Sequence, residues 1–291
     1  MPEFEDLIKI YQTRVNQALE KYLPPKEDSR LLNAVHYSVL NGGKRLRSIL
    51  VYLSSELGKT ESSIADATAC AVEFIHCYSL IHDDLPAMDD DKLRRGKPTC
   101  HMKFDEATAI LAGDALQPMA YELICSIENL PDATKVLMMN KLTRACSYKG
   151  MVEGQMKDIE MKKDMTVSEL DLLHEQKTGI LIETSLELGG IIGGLDDSEL
   201  SILKAYGKKI GLAYQIRDDI IDIESPTFES GKPQGSDAMK KKITYPSLVG
   251  IEEAKLKSQS LAEEASNILM NLNSKSESLR SLTSYVVTRN Y

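Results

Sequence analysis

Apolar residues recur at three- and four-residue intervals along nearly the whole of this 291-residue chain, and runs that alternate apolar with polar are nearly absent. That period is helical, and a chain written in it buries its apolar stripes by packing helix on helix. Leu, Ala, Glu, Lys and Met are plentiful, aromatics make up 5% and Trp is absent, a mix that suits helices better than sheets. Leu31, Leu32, Val35, Val39 and Leu40 form one stripe, ended by Gly42 and Gly43, since paired glycines stop a helix and open a turn. A second helix is predicted from near Arg45 to Leu57. A third carries Ile64, Ala67, Ala71, Phe74, Ile75 and Tyr78, and ends before Pro86, where a backbone donor is lost. Further helices are predicted at about 105–127, 133–161, 168–193, 198–223, 247–272 and 276–288. With no Pro/Gly/Ser linker in the chain, residues 1–291 read as one all-α domain of many helices around a central cavity.

Two aspartate clusters sit at the ends of apolar helical runs: Asp83, Asp84 and Asp89 to Asp91 in HDDLPAMDDD, and Asp218, Asp219 and Asp222 in RDDIID. So many carboxylates around one cavity need cations to offset their repulsion. Oxygen donors without Cys or His favour a hard ion, and Mg²⁺ is usual where a phosphate-bearing substrate completes the shell. Asp218 and Asp222 are four apart and share a helix face, while Asp219 is rotated by about 100°. A single DDxxD is more often a solvated acidic face; two, each following an apolar helix, favour a magnesium and diphosphate site.

Basic residues gather locally. NGGKRLRS places Lys44, Arg45 and Arg47 at a glycine turn and helix start, where amides, dipole and guanidinium forks suit an anion. Arg94 and Arg95 follow the first acidic cluster, as diphosphate ligands or as ion-pair partners of Asp90 or Asp91. Lys177 and Thr178 interrupt an amphipathic region, Gln215 lies one turn before Asp218, and His76 lies seven residues before Asp83 on nearly the same face. Each of these four is also an ordinary structural residue when taken alone. The net charge of −9 argues against nucleic acid as partner. Five cysteines without C-x-x-C spacing suit reduced thiols in a cytoplasmic protein. The amino terminus does not read as a signal peptide, and no run is long and uncharged enough to span a bilayer.

Together, GGKRLR, HDDLPAMDDDKLRRGKPTCH, KTG and YQIRDDIIDIESPTFESGKPQGSD, running from Gly42 to about Lys242, resemble the trans-isoprenyl diphosphate synthases of short-chain bacterial type. The resemblance implies the all-α isoprenoid synthase fold, a homodimer, isopentenyl and allylic diphosphates as substrates, and about three Mg²⁺ ions per site. It implies Asp83, Asp84, Asp89, Asp218 and Asp222 as metal ligands, with Asp219 and Lys177 beside them in catalysis. By the same resemblance, Lys44, Arg47, His76 and Arg95 hold isopentenyl diphosphate. Arg94, Lys177, Thr178, Gln215, Lys232 and Lys242 hold the allylic diphosphate. Tyr78 and Ser79 set chain length: an aromatic there is typical of farnesyl synthases, a smaller residue of many geranylgeranyl synthases. Ser48 stands where many relatives have proline, which bears on the shape of that turn. The segment from Ser225 to Lys242 is expected to close over bound diphosphate. Geranyl or geranylgeranyl synthases are the competing enzymes; a terpene cyclase needs no second diphosphate pocket. A noncatalytic partner subunit is the alternative from another class, against which both acidic clusters are complete.

Overall fold

The computed structural model describes residues 2–25, 28–162, 164–224, 242–272 and 276–289. Lys232 and the expected closing segment, apart from Lys242, lie outside the described residues.

The chain runs as α1 (Pro2–Tyr22), α2 (Arg30–Val39), α3 (Leu46–Ser55), α4 (Ser62–Asp83), a two-stranded hairpin of β1 (Leu93–Arg94) and β2 (Lys97–Pro98), α5 (Cys100–Lys103), α6 (Glu106–Cys125) and α7 (Asp132–Cys146). There follow α8 (Met151–Ile159), α9 (Val167–His174), a π-helical turn (Glu175–Gly179), α10 (Ile180–Gly193), α11 (Asp197–Glu224), α12 (Tyr245–Val249), α13 (Ile251–Leu269) and α14 (Glu277–Thr288). One continuous cluster of buried side chains extends from Ile8 on α1 to Val286 on α14.

The helical periodicity placed most elements within a few residues. Three breaks escaped it, because periodicity reports faces and not hydrogen-bond register. The helix predicted at 133–161 divides before Gly150, and Gly250, with φ of 86°, separates α12 from α13. Within the span 168–193 a π turn joins α9 to α10. Helix α1 was missed, although Ile8, Tyr11, Val15, Ala18 and Leu19 form its buried stripe. Arg95 and Gly96, with φ of 54° and 74°, make the two-residue turn of the hairpin, a left-handed pair of the kind that type I′ turns require.

Helix α4 positions the site. Its 22 residues are long and apolar enough to cross a membrane, contrary to the sequence expectation, yet 78% of the apolar window is buried inside the fold. Its apolarity therefore belongs to a core helix surrounded by others.

Candidate active site

At its carboxyl end α4 delivers Asp83, and a tight turn through Pro86 folds the chain back so that the Asp89 amide donates to the Asp83 carbonyl at 2.9 Å. Asp158 enters from α8, and Asp83, Asp89 and Asp158 each offer a carboxylate oxygen within 4.8 Å of the others. At such spacing each pair repels by about 3–4 kcal/mol at an effective dielectric of 20. Two ammonium groups offset this. Lys177 Nζ lies 2.8 Å from Asp158 and 3.4 Å from Asp83, and Lys242 Nζ lies 2.9 Å from Asp89 and 3.0 Å from Asp158. Burial works to raise the Asp158 pKa, but Lys177 and Lys242 together hold it below the usual carboxylate range. Three carboxylates against two lysines leave a net negative pocket of hard oxygen donors, which fits a divalent cation such as Mg²⁺.

Both lysines reach Asp158, and each reaches one further carboxylate. Lys177 belongs to the π turn, which is wedged between helices: a Cβ on Gly154 of α8 would lie 2.2 Å from the Lys177 amide nitrogen, and one on Gly211 of α11 2.9 Å from Gly179 Cα. Only glycine permits both approaches. The next residue, Thr178, donates from Oγ1 to Gln215 Oε1 at 3.0 Å, and Gln215 Nε2 donates to Asp219 at 3.2 Å. Consecutive residues of one π turn thus face the two acidic motifs.

Asp84, expected at the metal, and Asp219, expected beside it in catalysis, have other partners. Asp84 is 3% exposed and accepts a forked hydrogen bond from Arg94, whose Nε lies 2.8 and 2.9 Å from its two oxygens. Burial leaves the Asp84 pKa raised even against Arg94. The pairing also engages the arginine that the resemblance assigned to allylic diphosphate. Asp219, likewise 3% exposed, accepts from the Tyr245 amide at 2.9 Å. Asp218 has an open face, with 37% of its side chain exposed, and accepts from Arg289 at 2.6 Å. Asp222 is half-buried one turn further along α11.

A second, basic pocket is built on the turn after α2. Arg45 is left-handed at φ of 55° and buried, donating to Glu73 at 2.7 Å and to the Val39 carbonyl at 2.7 Å. Burial opposes ionisation of Glu73, yet Arg45 holds its pKa below normal. Ser48 completes this network by donating to Glu73 at 2.9 Å, which explains the serine: its hydroxyl supplies a bond that proline lacks. With Arg45 locked inward, its neighbours Lys44 and Arg47 are left for the pocket. Arg47 NH1 lies 3.3 Å from His76 Nε2, and its Nε has no hydrogen-bond partner among the described residues. Arg95 donates to the Gly42 carbonyl. Burial lowers the pKa of Lys44, Arg47 and Arg95. Burial and then Arg47 and Arg95 push His76 well below its usual range, so it is neutral at pH 7. Cations held together at such a cost mark an anion site.

Beneath Asp83, Tyr78 is buried, its hydroxyl 3.4 Å from the Cys146 carbonyl, and its ring meets His82 edge-on at 5.8 Å. Tyr121 lies 2.8 Å from Cys146 Sγ. Ser79 donates to the His76 carbonyl at 2.8 Å.

Sequence reasoning missed Asp158 and Arg289. Asp158 lies on a short helix with no acidic neighbour pair to flag it. Arg289 is buried, stacked over the Tyr214 ring at 4.1 Å, and tied to the second motif only by folding.

Comparison with known proteins gives a family model, polyprenyl synthetase, matching residues 28–286. A farnesyl diphosphate synthase from Haemophilus influenzae is 43% identical, with 99% of both chains covered, and one from Escherichia coli is 40% identical over 99% of both. Among solved structures, a geranyltransferase from Helicobacter pylori complexed with magnesium and isoprenyl diphosphate superposes with a TM-score of 0.87 at 33% identity, covering 98% of this chain and 97% of that one. Paired acidic and basic pockets, an all-helical frame and likeness over nearly the full length have one explanation: this chain belongs to the polyprenyl synthetase family.

Proposed function

We propose that the protein is a farnesyl diphosphate synthase, which condenses isopentenyl diphosphate head to tail with dimethylallyl and then geranyl diphosphate. The observation that carries this reading is the meeting, along one side of α4, of a carboxylate cluster with cationic partners and a separate half-buried basic pocket. A single-diphosphate enzyme has use for the first and none for the second.

The residues divide as follows. Asp83, Asp89 and Asp158, with Asp218 and Asp222 from α11, fit a set of about three Mg²⁺ ions. When bound, Mg²⁺ neutralises the departing diphosphate as a Lewis acid. Lys177 and Lys242, already aimed at the carboxylates, are positioned to hold the allylic diphosphate and stabilise the charge that grows on it as the carbon–oxygen bond breaks. Thr178 and Gln215 orient that group; Arg94 contributes at one remove by holding Asp84. Lys44, Arg47, neutral His76 and Arg95 hold isopentenyl diphosphate so that its double bond attacks the allylic cation. Buried Tyr78 helps to exclude water, and released diphosphate is available to take the proton. A farnesyl rather than a geranylgeranyl product is supported by the buried aromatic at Tyr78 and by the named relatives. Exposed apolar side chains on α6 to α8, among them Leu111, Val136 and Val152, support a homodimer. Cysteines that are all free, four of them buried, suit the cytoplasm.

The test is incubation with isopentenyl diphosphate and each allylic starter, with and without Mg²⁺, followed by chromatography. Farnesyl diphosphate as the main product, formed only with the metal, is the expected result; no chain extension in any mixture overturns the reading.

One pH dependence follows from the basic pocket. Burial sets the Lys44 pKa at about 8, against the attraction of Asp218 and with help from Arg289 and Arg95. The lysine is an ammonium below that value and a neutral amine above it, and the diphosphate is bound by the ammonium. KM for isopentenyl diphosphate is therefore expected to climb as pH rises from roughly 7 to 9.5, and Lys44→Arg, which stays charged, to flatten the climb.

A further inference from the structure

Asp219 belongs to the second acidic motif by sequence and to a different structure by contact. Its two oxygens meet three elements: Oδ1 accepts from Gln215 at 3.2 Å, Oδ2 accepts from the Tyr245 amide at 2.9 Å, and His174 Nε2 lies 3.5 Å from Oδ2. The Tyr245 ring stacks on His174 at 6.4 Å between centroids, and its hydroxyl donates to Asp171 at 2.7 Å. Asp219 and His174 are both at least nine-tenths buried. A buried carboxylate so engaged has its near lone pairs spent on the protein.

Following those bonds outward gives the consequence. Tyr245 is three residues after Lys242, whose ammonium reaches Asp89 and Asp158. Gln215 leads through Thr178 to Lys177, whose ammonium reaches Asp83 and Asp158. Both lysines of the acidic pocket are therefore secured from one carboxylate.

We infer that Asp219 is a positioning residue, which sets Lys177 and Lys242 for the allylic diphosphate by anchoring the turn and the segment that carry them. The inference rests on the prenyl-transfer reading for the ligand it names, and the tests of the two are separable. Asparagine keeps an oxygen for the Tyr245 amide and, if the Gln215 amide turns over, donates to Gln215 Oε1 while Gln215 Nε2 donates to the Thr178 hydroxyl; it loses the negative charge. Alanine loses everything.

The experiment compares Asp219→Asn with Asp219→Ala, measuring KM and kcat for each substrate, thermal unfolding, and calorimetric titration of an unreactive allylic thiolodiphosphate in the presence of Mg²⁺. Asp219→Ala is expected to raise the KM for the allylic substrate, and weaken the analogue, about ten- to a hundredfold, the scale of one lost charged hydrogen bond. KM for isopentenyl diphosphate stays near the wild-type value, and Asp219→Asn recovers most of the loss. An Asn variant as impaired as the Ala variant overturns the inference, because a metal ligand needs the charge that asparagine lacks. Equal losses for both substrates overturn it as well, pointing to general destabilisation. Should Asp219→Ala fail to fold, the Asn variant decides alone: analogue binding within a few-fold of wild type supports positioning, and loss of binding overturns it. Wild-type protein that couples neither starter sinks the prenyl-transfer reading, while the analogue titration still reports on Asp219.

Discussion

Asp83→Ala lowers turnover roughly 10³-fold or more, the scale of losing a preorganised electrostatic contact to a departing anion, while helix content and thermal stability stay close to the parent's. The two halves have separate causes. The Asp83 side chain, 15% exposed, accepts from Gln155 at 2.7 Å and is 3.4 Å from Lys177, which has Asp158 nearer at 2.8 Å. Its removal leaves Lys177 paired, so the folded state loses little. The acidic pocket, by contrast, loses one of the three carboxylates that converge there. Steady-state rates at saturating Mg²⁺, read beside circular dichroism, make the measurement. Rates within tenfold of the parent would remove Asp83 from the metal set. The adjacent residue gives the opposite profile: Asp84→Ala takes from Arg94 its buried, forked partner and leaves it Asp91 at 3.8 Å, a loss of about 3 kcal/mol in stability. Denaturant unfolding of the two variants side by side tells a ligand from a structural ion pair.

Tyr78→Ala lengthens the main product by one isoprene unit, and Tyr78→Phe leaves it unchanged. The ring lies five residues before Asp83, roughly 7 Å back along α4, and on the proposed function a chain growing from the diphosphate end meets it there. A phenol is bulkier than an isoprene unit, so the space it vacates admits one more condensation before the chain reaches Tyr121 and Cys146. Phenylalanine keeps the floor and forgoes only the 3.4 Å contact to the Cys146 carbonyl. Truncating so large a core residue also costs about 3–5 kcal/mol, so the assay belongs below the lowered unfolding temperature. Chromatography of products after exhaustive incubation decides the matter: an unchanged distribution in the Ala variant places the floor elsewhere.

Much of this was legible in the residues because the signals were local. A helical period repeats within one turn, so α2 to α4, α6 and α11 could be placed without knowing their neighbours. The aspartates of HDDLPAMDDD and RDDIID announce a cation site by crowding, and NGGKRLRS an anion site by its glycines and arginines. Adjacent aspartates, however, look alike in a string. Asp83 and Asp84 differ by one position, about 100° around a helix, and that rotation sends one to the carboxylate cluster and the other to Arg94. Asp218 and Asp219 are parted in the same way, toward Arg289 and toward the Tyr245 amide.

Other features had no local signal at all. Asp158 joins Asp83 from 75 positions downstream only because α8 packs against the π turn through Gly154. Ser48 looked like a departure from pattern until Glu73 appeared beside it, 25 residues away. The sequence by itself determined that the chain is helical, which families of charge it gathers and how they are ordered. Which carboxylate meets a cation, and which merely holds the frame, was decided by tertiary structure, because electrostatic energy depends on separation and burial in space and not on distance along the chain.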